Sequence, residues 1–320
     1  MFANWLLPYN EMVAGWVDPW YDAGSASHTN IMGQVGTGTA IFYNLGGFGD
    51  KFTSYSATAY GGAYDQGFNR RQEEILQYMG STGKFSYRFA ITADFQQDAA
   101  SKGRDSVKAD PKIISTGIAY SDGPFWGAIT YQKHDEWALA TINSATMTDT
   151  EAESWRIAGR YIMDLGNGGS LTLSAMFENV EYEFNNTTTP GAALQDFGFS
   201  SSTFAGGTAN TDVKFDRDAF LISGKYAPGG NFDFRFMYAE ADELDVSATG
   251  LSVDNSSGTG ADTTLFGVFY ALGDSTELNV SYIEVENDPY GQYGTGISAL
   301  GSGTLNNQVE IIQFGILTMF

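Results

Sequence analysis

Between residues 84 and 95 the chain reads KFSYRFAITADF, with apolar positions at every second residue. Phe85, Tyr87, Phe89, Ile91, Ala93 and Phe95 share one face; Ser86, Arg88, Ala90, Thr92 and Asp94 share the other. A helix turns 100° per residue and scatters such a set around its circumference, so the pattern predicts a strand. In NFDFRFMYAE the same period sets Phe232, Phe234, Phe236 and Tyr238 against Asp233, Arg235 and Met237. In SWRIAGRYIM it sets Trp155, Ile157, Gly159, Tyr161 and Met163 against Arg156, Ala158 and Arg160. Eleven segments of this kind run over 72–79, 84–95, 111–120, 124–135, 152–164, 169–183, 214–227, 231–241, 261–272, 275–286 and 307–320. The last of them ends in IIQFGILTMF, where Ile312, Phe314, Ile316, Thr318 and Phe320 make one greasy edge.

The connections sharpen this picture. STGK, SDGP, LGNGGS, PGGN and LGDST are tight turns built on Gly, Asn and Asp. Between them lie long polar loops near 96–110, 137–151, 184–213, 242–260 and 287–306, so short and long connections alternate. A soluble sandwich has no physical reason to sort its loops, whereas a transmembrane barrel has short turns on one side and long loops on the other. In hydrocarbon every backbone N–H and C=O needs a partner, so the sheet closes on itself, with an apolar face toward lipid and a polar face toward the lumen. The expected fold is therefore all-β, an antiparallel transmembrane barrel. Tyr87, Tyr131, Tyr161, Tyr226, Tyr238 and Tyr282 are candidates for the aromatic belts at its two interfaces.

Composition agrees. The 320 residues hold 39 Gly, 23 Phe and 18 Tyr but only 7 Pro, and a mean hydropathy of -0.20. No stretch approaches the ~18–20 apolar residues of a membrane helix. With no Cys, disulfides and thiolate chemistry are excluded. The net charge of -22 opposes nucleic-acid binding, which rests on neutralising phosphates. It fits acidic loops in water, and leans toward a mild cation preference if part of it lines a channel. MFANWLLPYN lacks the basic start, long apolar stretch and small-residue cleavage site of a signal peptide. Only His28 and His134 could serve as a general base, and Asp135 beside His134 would point to the opposite face of a strand, so no enzyme is expected. GQVGTGTAIFYNLGGFGD lacks the Lys-Ser or Lys-Thr of a phosphate loop, and no cofactor is implied.

Residues 1–71 carry a more specific signal. PYNEMVAGWVDPWYDAG, then IMG, then NRRQEEILQY leading into a hairpin, resembles the general-diffusion porins of Gram-negative outer membranes. There a strand gives way to a Pro-Tyr and an Asp-Pro-aromatic element, a loop folds into the barrel, and an Arg/Asn/Gln stretch opens the next strand. The resemblance implies a bacterial outer-membrane porin, a water-filled channel for passive diffusion of ions and small hydrophilic solutes. It implies one barrel domain over 1–320: residues 1–6 end a preceding strand, 7–71 form a lumen-inserted constriction loop, and 72–320 hold the eleven strands. Porins of this class have sixteen strands, so eleven are present of sixteen, and the chain reads as a fragment lacking its first strands and signal peptide. The alternative is a genuinely smaller barrel, of about twelve strands.

The same resemblance implies acids on the inserted loop facing a basic ladder on the wall. The candidate acids are Asp18, Asp22, Asp50 and Asp65, with Glu11 on the same segment; Asp18 and Asp22 could equally cap the turn around Pro19. Arg70 and Arg71 sit where the family places a wall arginine. Arg88, Arg156, Arg160 and Arg235 face the lumen by alternation, since an arginine on the lipid face costs about 2–4 kcal/mol at the midplane. Phe320 matches the C-terminal aromatic read by the barrel-assembly machinery. Outer-membrane lipid, lipopolysaccharide and two further copies in a homotrimer are the other implied partners. Two rivals stay open: a plugged barrel whose loops bind a partner, as an adhesin or scaffold, and a solute-specific channel, with Trp126 part of an aromatic track.

Overall fold

The computed structural model describes residues 3–7, 10–17, 72–92, 112–135, 141–142, 145–146, 148–187, 205–206, 211–248, 251–252, 258–290 and 308–318. All described regular structure is strand: β1 (Ala3–Leu7), β2 (Asn10–Val17), β3 (Gln72–Thr82), β4 (Phe85–Thr92), β5 (Lys112–Asp122), β6 (Phe125–Asp135), β7 (Thr141–Ile142), β8 (Ala145–Thr146), β9 (Thr148–Gly166), β10 (Gly169–Thr187), β11 (Ala205–Gly206), β12 (Thr211–Ala227), β13 (Phe232–Ala241), β14 (Asp245–Ala248), β15 (Leu251–Ser252), β16 (Ala261–Ala271), β17 (Thr276–Asn287) and β18 (Gln308–Thr318).

Thirteen of these form one antiparallel sheet in sequence order, β1-β2-β3-β4-β5-β6-β9-β10-β12-β13-β16-β17-β18, and β14 adds to β12. The order follows from the turns. Asn167 and Gly168 carry φ of 53° and 78°, the positive pair that a two-residue hairpin needs to match strand twist. Gly83 and Gly123 take positive φ in the turns β3–β4 and β5–β6. Gly229, at φ 96°, lies against the neighbouring turn so closely that a Cβ there would stand 2.8 Å from the Asn167 carbonyl.

All eleven expected strands are present. Two features differ from the sequence reading. Residues expected as the start of the constriction loop instead hold β2, which pairs with β1 and with β3. The strands β9 and β10 run 19 residues each, into stretches expected as loop. About 9–11 residues cross a bilayer, so these strands stay paired beyond it, where their side chains no longer need to be apolar.

Both faces keep the period of two. One face is apolar and exposed: Phe89, Ile118, Ile129, Ile157, Leu173, Ile222, Phe236, Phe266 and Val280 lie on it, and Phe314 reaches 78% exposure on β18. This is the outer, lipid-facing side. Its aromatic rings gather in two girdles. Near the short turns, Phe85 contacts Tyr120 at 5.1 Å between centroids, and Phe232 contacts Tyr270 at 4.6 Å. Near the long connections, Trp155 meets Phe177 at 5.3 Å and Phe220 meets Tyr238 at 5.8 Å. The opposite, inner face is buried and holds the candidate site.

Candidate functional site

Register fixes which inner-face residues become neighbours. One row crosses the sheet as Gln77, Ala90, Ser115, Gln132 and Ser154 on β3, β4, β5, β6 and β9. Two residues nearer the short turns, a second row runs Arg88, Gly117, Thr130, Arg156 and Glu178 on β4 through β10. A third row is Ala119, Ala128, Ala158 and Met176, and it is mostly small. The inner wall from β3 to β10 is thus hydroxyl, amide and charge above a floor of alanines.

From β12 to β18 the wall changes. Ser223, Met237, Leu265, Ile283 and Ile311 make one row, and Leu221, Ala239, Thr263, Val285 and Val309 another. Leu221, Met237, Leu265, Ile283 and Val285 are fully buried and belong to one apolar cluster.

The sequence-derived arginines separate into distinct settings. Arg156 and Glu178 are register partners, and both side chains are fully buried. The guanidinium donates to Glu178 Oε2 from Nε at 3.0 Å and from a terminal nitrogen at 2.6 Å. The Ser154 hydroxyl lies 2.7 Å from the Asn179 carbonyl and 3.4 Å from Glu178 Oε1. Such a pair is held by mutual charge and hydrogen bonding in a site that neither ion could enter alone. Arg235 also faces inward. It donates to Asp233 at 2.6 and 3.0 Å and to Glu277 at 2.6 Å, and stands 3.6 Å over the Phe269 ring. Lys225 joins it with an ion pair to Asp233 at 3.1 Å. Arg160 lies on the inner face between Trp126 and Ser174, and its Nε has no hydrogen-bond partner among the described residues. Arg88 lies on the same face and is engaged.

Asp18, Asp22, Asp50, Asp65, Arg70, Arg71 and Phe320 lie outside the described residues. Only Trp126 of the suggested aromatic track is described on the inner wall; it is buried on β6.

Sequence reasoning missed Glu178, Asp233, Glu277, Lys225 and Arg217, which complete these clusters. Arg217 is buried on β12 and donates to the Thr259 carbonyl at 3.4 Å. The alternation that revealed the four arginines applies equally to these residues. It also missed three uncharged groups. Gln77, Ser115 and Thr130 are no more than 1% exposed, and Gln77 Nε2 and Oε1, Ser115 Oγ and Thr130 Oγ1 have no partner among the described residues. A buried polar group without a partner costs about 1–3 kcal/mol, so four such atoms within three neighbouring strand pairs mark this part of the wall.

Carboxylates collect elsewhere. At the long-connection end of the outer face, Tyr131 donates to Glu153 at 2.9 Å, Tyr238 to Glu240 at 2.9 Å and Tyr282 to Glu310 at 3.2 Å. Glu181, Glu183, Asp216, Asp218, Glu284 and Glu286 share that outward parity and extend the collar along the sheet. Lys133 and Lys214 are cations within it, paired to Glu151 at 2.8 Å and Glu181 at 2.6 Å. Asp242, just beyond β13, has its pKa raised by burial and then by the nearby charges of Glu240 and Asp218.

The pattern described for Gram-negative porins matches residues 22–290. No curated protein matches the chain. Among solved structures, the anion-selective porin from Comamonas acidovorans is 14% identical with a TM-score of 0.65, over 100% of this chain and 77% of that one. OmpT of Vibrio cholerae, expressed in the outer membrane, is 10% identical with a TM-score of 0.58, over 99% of this chain and 79% of that one. A trimer form of in-vitro folded OmpT is 10% identical with a TM-score of 0.54, over 98% and 78%. At these identities the likeness is one of fold, and it is the fold that the two-faced sheet already requires. The family match spans most of the chain, residues 22–290, and the chain belongs to the Gram-negative porins.

Proposed function

We propose that this outer-membrane porin passes ions and small hydrophilic solutes by passive diffusion, through one barrel domain that assembles as a homotrimer. The observation that carries the reading is the inner wall from β3 to β10, where charge and hydrogen-bonding groups line a sheet whose other face carries a broad apolar band. A pore does no bond chemistry; it sets a width and a pattern of charge along a path for water. Asp18, Asp22, Asp50 and Asp65 would supply the acidic side of that path, and Arg70, Arg71, Arg88, Arg160 and Arg235 the basic side. Arg156 contributes least, because Glu178 already balances it. Phe320 would be the signal for barrel insertion, and the outer face would meet lipid and lipopolysaccharide.

A second reading, a plugged barrel with partner-binding loops, draws on the buried aliphatic rows on the inner face of β12–β18. Conductance separates the two. The purified protein, inserted into a planar bilayer in KCl, is expected to give discrete steps, in groups of three if the trimer holds. Folded, inserted protein without steps would establish the plugged reading instead.

A further inference from the structure

The outer face is not evenly filled. Across β3–β6, two rows of outward side chains border a groove of about 530 Å³. The row nearer the long connections is Tyr78, Phe89, Thr116 and Tyr131, and the row nearer the short turns holds Tyr87, Ile118 and Ile129. Thr116 is the one short side chain among these rings and branched aliphatics, so the surface is hollowed at its position. Phe89, Ile118 and Ile129 are exposed along the groove, and Tyr78 rests against Tyr87 at 6.2 Å between centroids. Hydroxyls at its edge are engaged within the protein: Thr116 donates to the Arg88 carbonyl at 3.0 Å, and Tyr131 to Glu153 at 2.9 Å. One row further toward the long connections, Lys133 and Glu153 are register partners. With Glu151, Glu181 and Glu183 they line a cleft of about 80 Å³, four carboxylates against one ammonium. That is room for a small polar group, and the charge suits a cation.

We infer that this groove seats one acyl chain of a lipid whose head group carries a primary ammonium, with the ammonium in the acidic cleft beside it. Two observations choose this occupant. The groove is continuous with the exposed apolar band, so hydrocarbon is what reaches it. The cleft at its upper edge repels an anionic head and attracts a cationic one. Lipid tails are as apolar as leucine, so hydrophobicity alone gives a chain no preference for this place over the rest of the bilayer. The preference comes from dispersion contact in a hollow that loosely packed tails would fill poorly, and from the head-group charge. The inference goes beyond the channel reading, because the site faces the membrane whether or not the barrel conducts.

The test uses the whole protein, folded in lipid-free detergent and given equal amounts of dimyristoyl phosphatidylethanolamine and dimyristoyl phosphatidylglycerol. Native mass spectrometry counts the lipids kept per chain. The native protein is expected to keep one, with the ethanolamine lipid favoured about two- to fivefold, the worth of an exposed ion pair. Thr116→Phe fills the hollow and is expected to lower the retained lipid about fivefold, the worth of roughly 1 kcal/mol of lost contact. Ile222→Phe, exposed on the same face of β12, should leave it unchanged. Retention that Thr116→Phe does not alter overturns the groove, and equal retention of the two lipids overturns the head-group assignment. A native oligomer that keeps no lipid and dissociates on Thr116→Phe also overturns the inference, since the groove is then a seam between copies. Should Thr116→Phe not fold, Ile129→Trp, at a position 54% exposed beside the same groove, is read in the same way.

Discussion

The two halves of the inner wall share one sheet, one alternation and one outer face, yet they are built of different matter. From β3 to β10 the inward positions are Gln, Ser, Thr, Arg and Glu over alanine; from β12 to β18 Leu, Met, Ile and Val fill the rows farther from the short turns, with Ser223 and Thr263 among them, and the charges of Arg235, Asp233, Glu277 and Lys225 lie nearer those turns. Lipid sets the outer face of both, because hydrocarbon accepts only apolar side chains at depth. Nothing so uniform governs the inner face. The difference teaches that polar inward groups reach farther along the strands in the first half, and that aliphatic packing takes their place in the second. In the second half large aliphatic side chains pack together, while in the first alanines dominate the row nearest the short turns.

The largest effect should come from splitting the ion pair in the polar half. Arg156→Met strands Glu178 in a fully buried site and is expected to cost about 3–5 kcal/mol, whereas Arg156→Met with Glu178→Leu should recover most of that loss. Urea titration of the folded barrel measures both, and equal losses for single and double variants would sink the account. In the second half, Leu265→Ala should cost roughly 2–5 kcal/mol by the same titration and leave KCl conductance alone. A loss below about 1 kcal/mol would count against tight packing of that row. Gly229→Ala strains a left-handed residue against the Asn167 carbonyl and is expected to cost about 1–3 kcal/mol, with conductance kept.

A smaller effect lies at the rim of the aliphatic half. Folding raises the pKa of Asp242, so the folded protein prefers its protonated form and loses stability as pH rises through the carboxylate range. Asp242→Asn should therefore stabilise at neutral pH, by less than about 1 kcal/mol for so exposed a group, and the gain should vanish below its ordinary value. A gain that persisted under acid would point to packing as its source.

Most of this fold was legible in the sequence because lipid imposes a period of two and turns demand particular residues. The strand β2 was not legible: in NEMVAGWV, Glu11 shares a face with Val13 and Gly15, so polarity does not alternate cleanly. The upper ends of β9 and β10 looked like loop because residues 148–151 (TDTE) and 185–187 (NNT) are unsuited to lipid, but backbone pairing continues where lipid stops. Of the site, the inward arginines could be read from alternation alone. Glu178 as the partner of Arg156 could not, because that assignment depends on the register between two strands, which a one-residue slip would reverse. Gln77, Ser115 and Thr130 carried no signal in the sequence, since such residues are common wherever a strand meets water.

The tyrosine-anchored carboxylates bear on how the protein's charge is felt. An ion crossing the wall's interior is separated from that collar by the sheet itself, and salt screens exposed charge beyond about 8 Å at physiological strength. Electrophoretic mobility therefore reports the collar more than the inner wall, and neutralising Arg235, Asp233 and Glu277 together should move it little. Among the described residues, the acidity that the molecule shows its surroundings is carried at the long-connection end of the outward face.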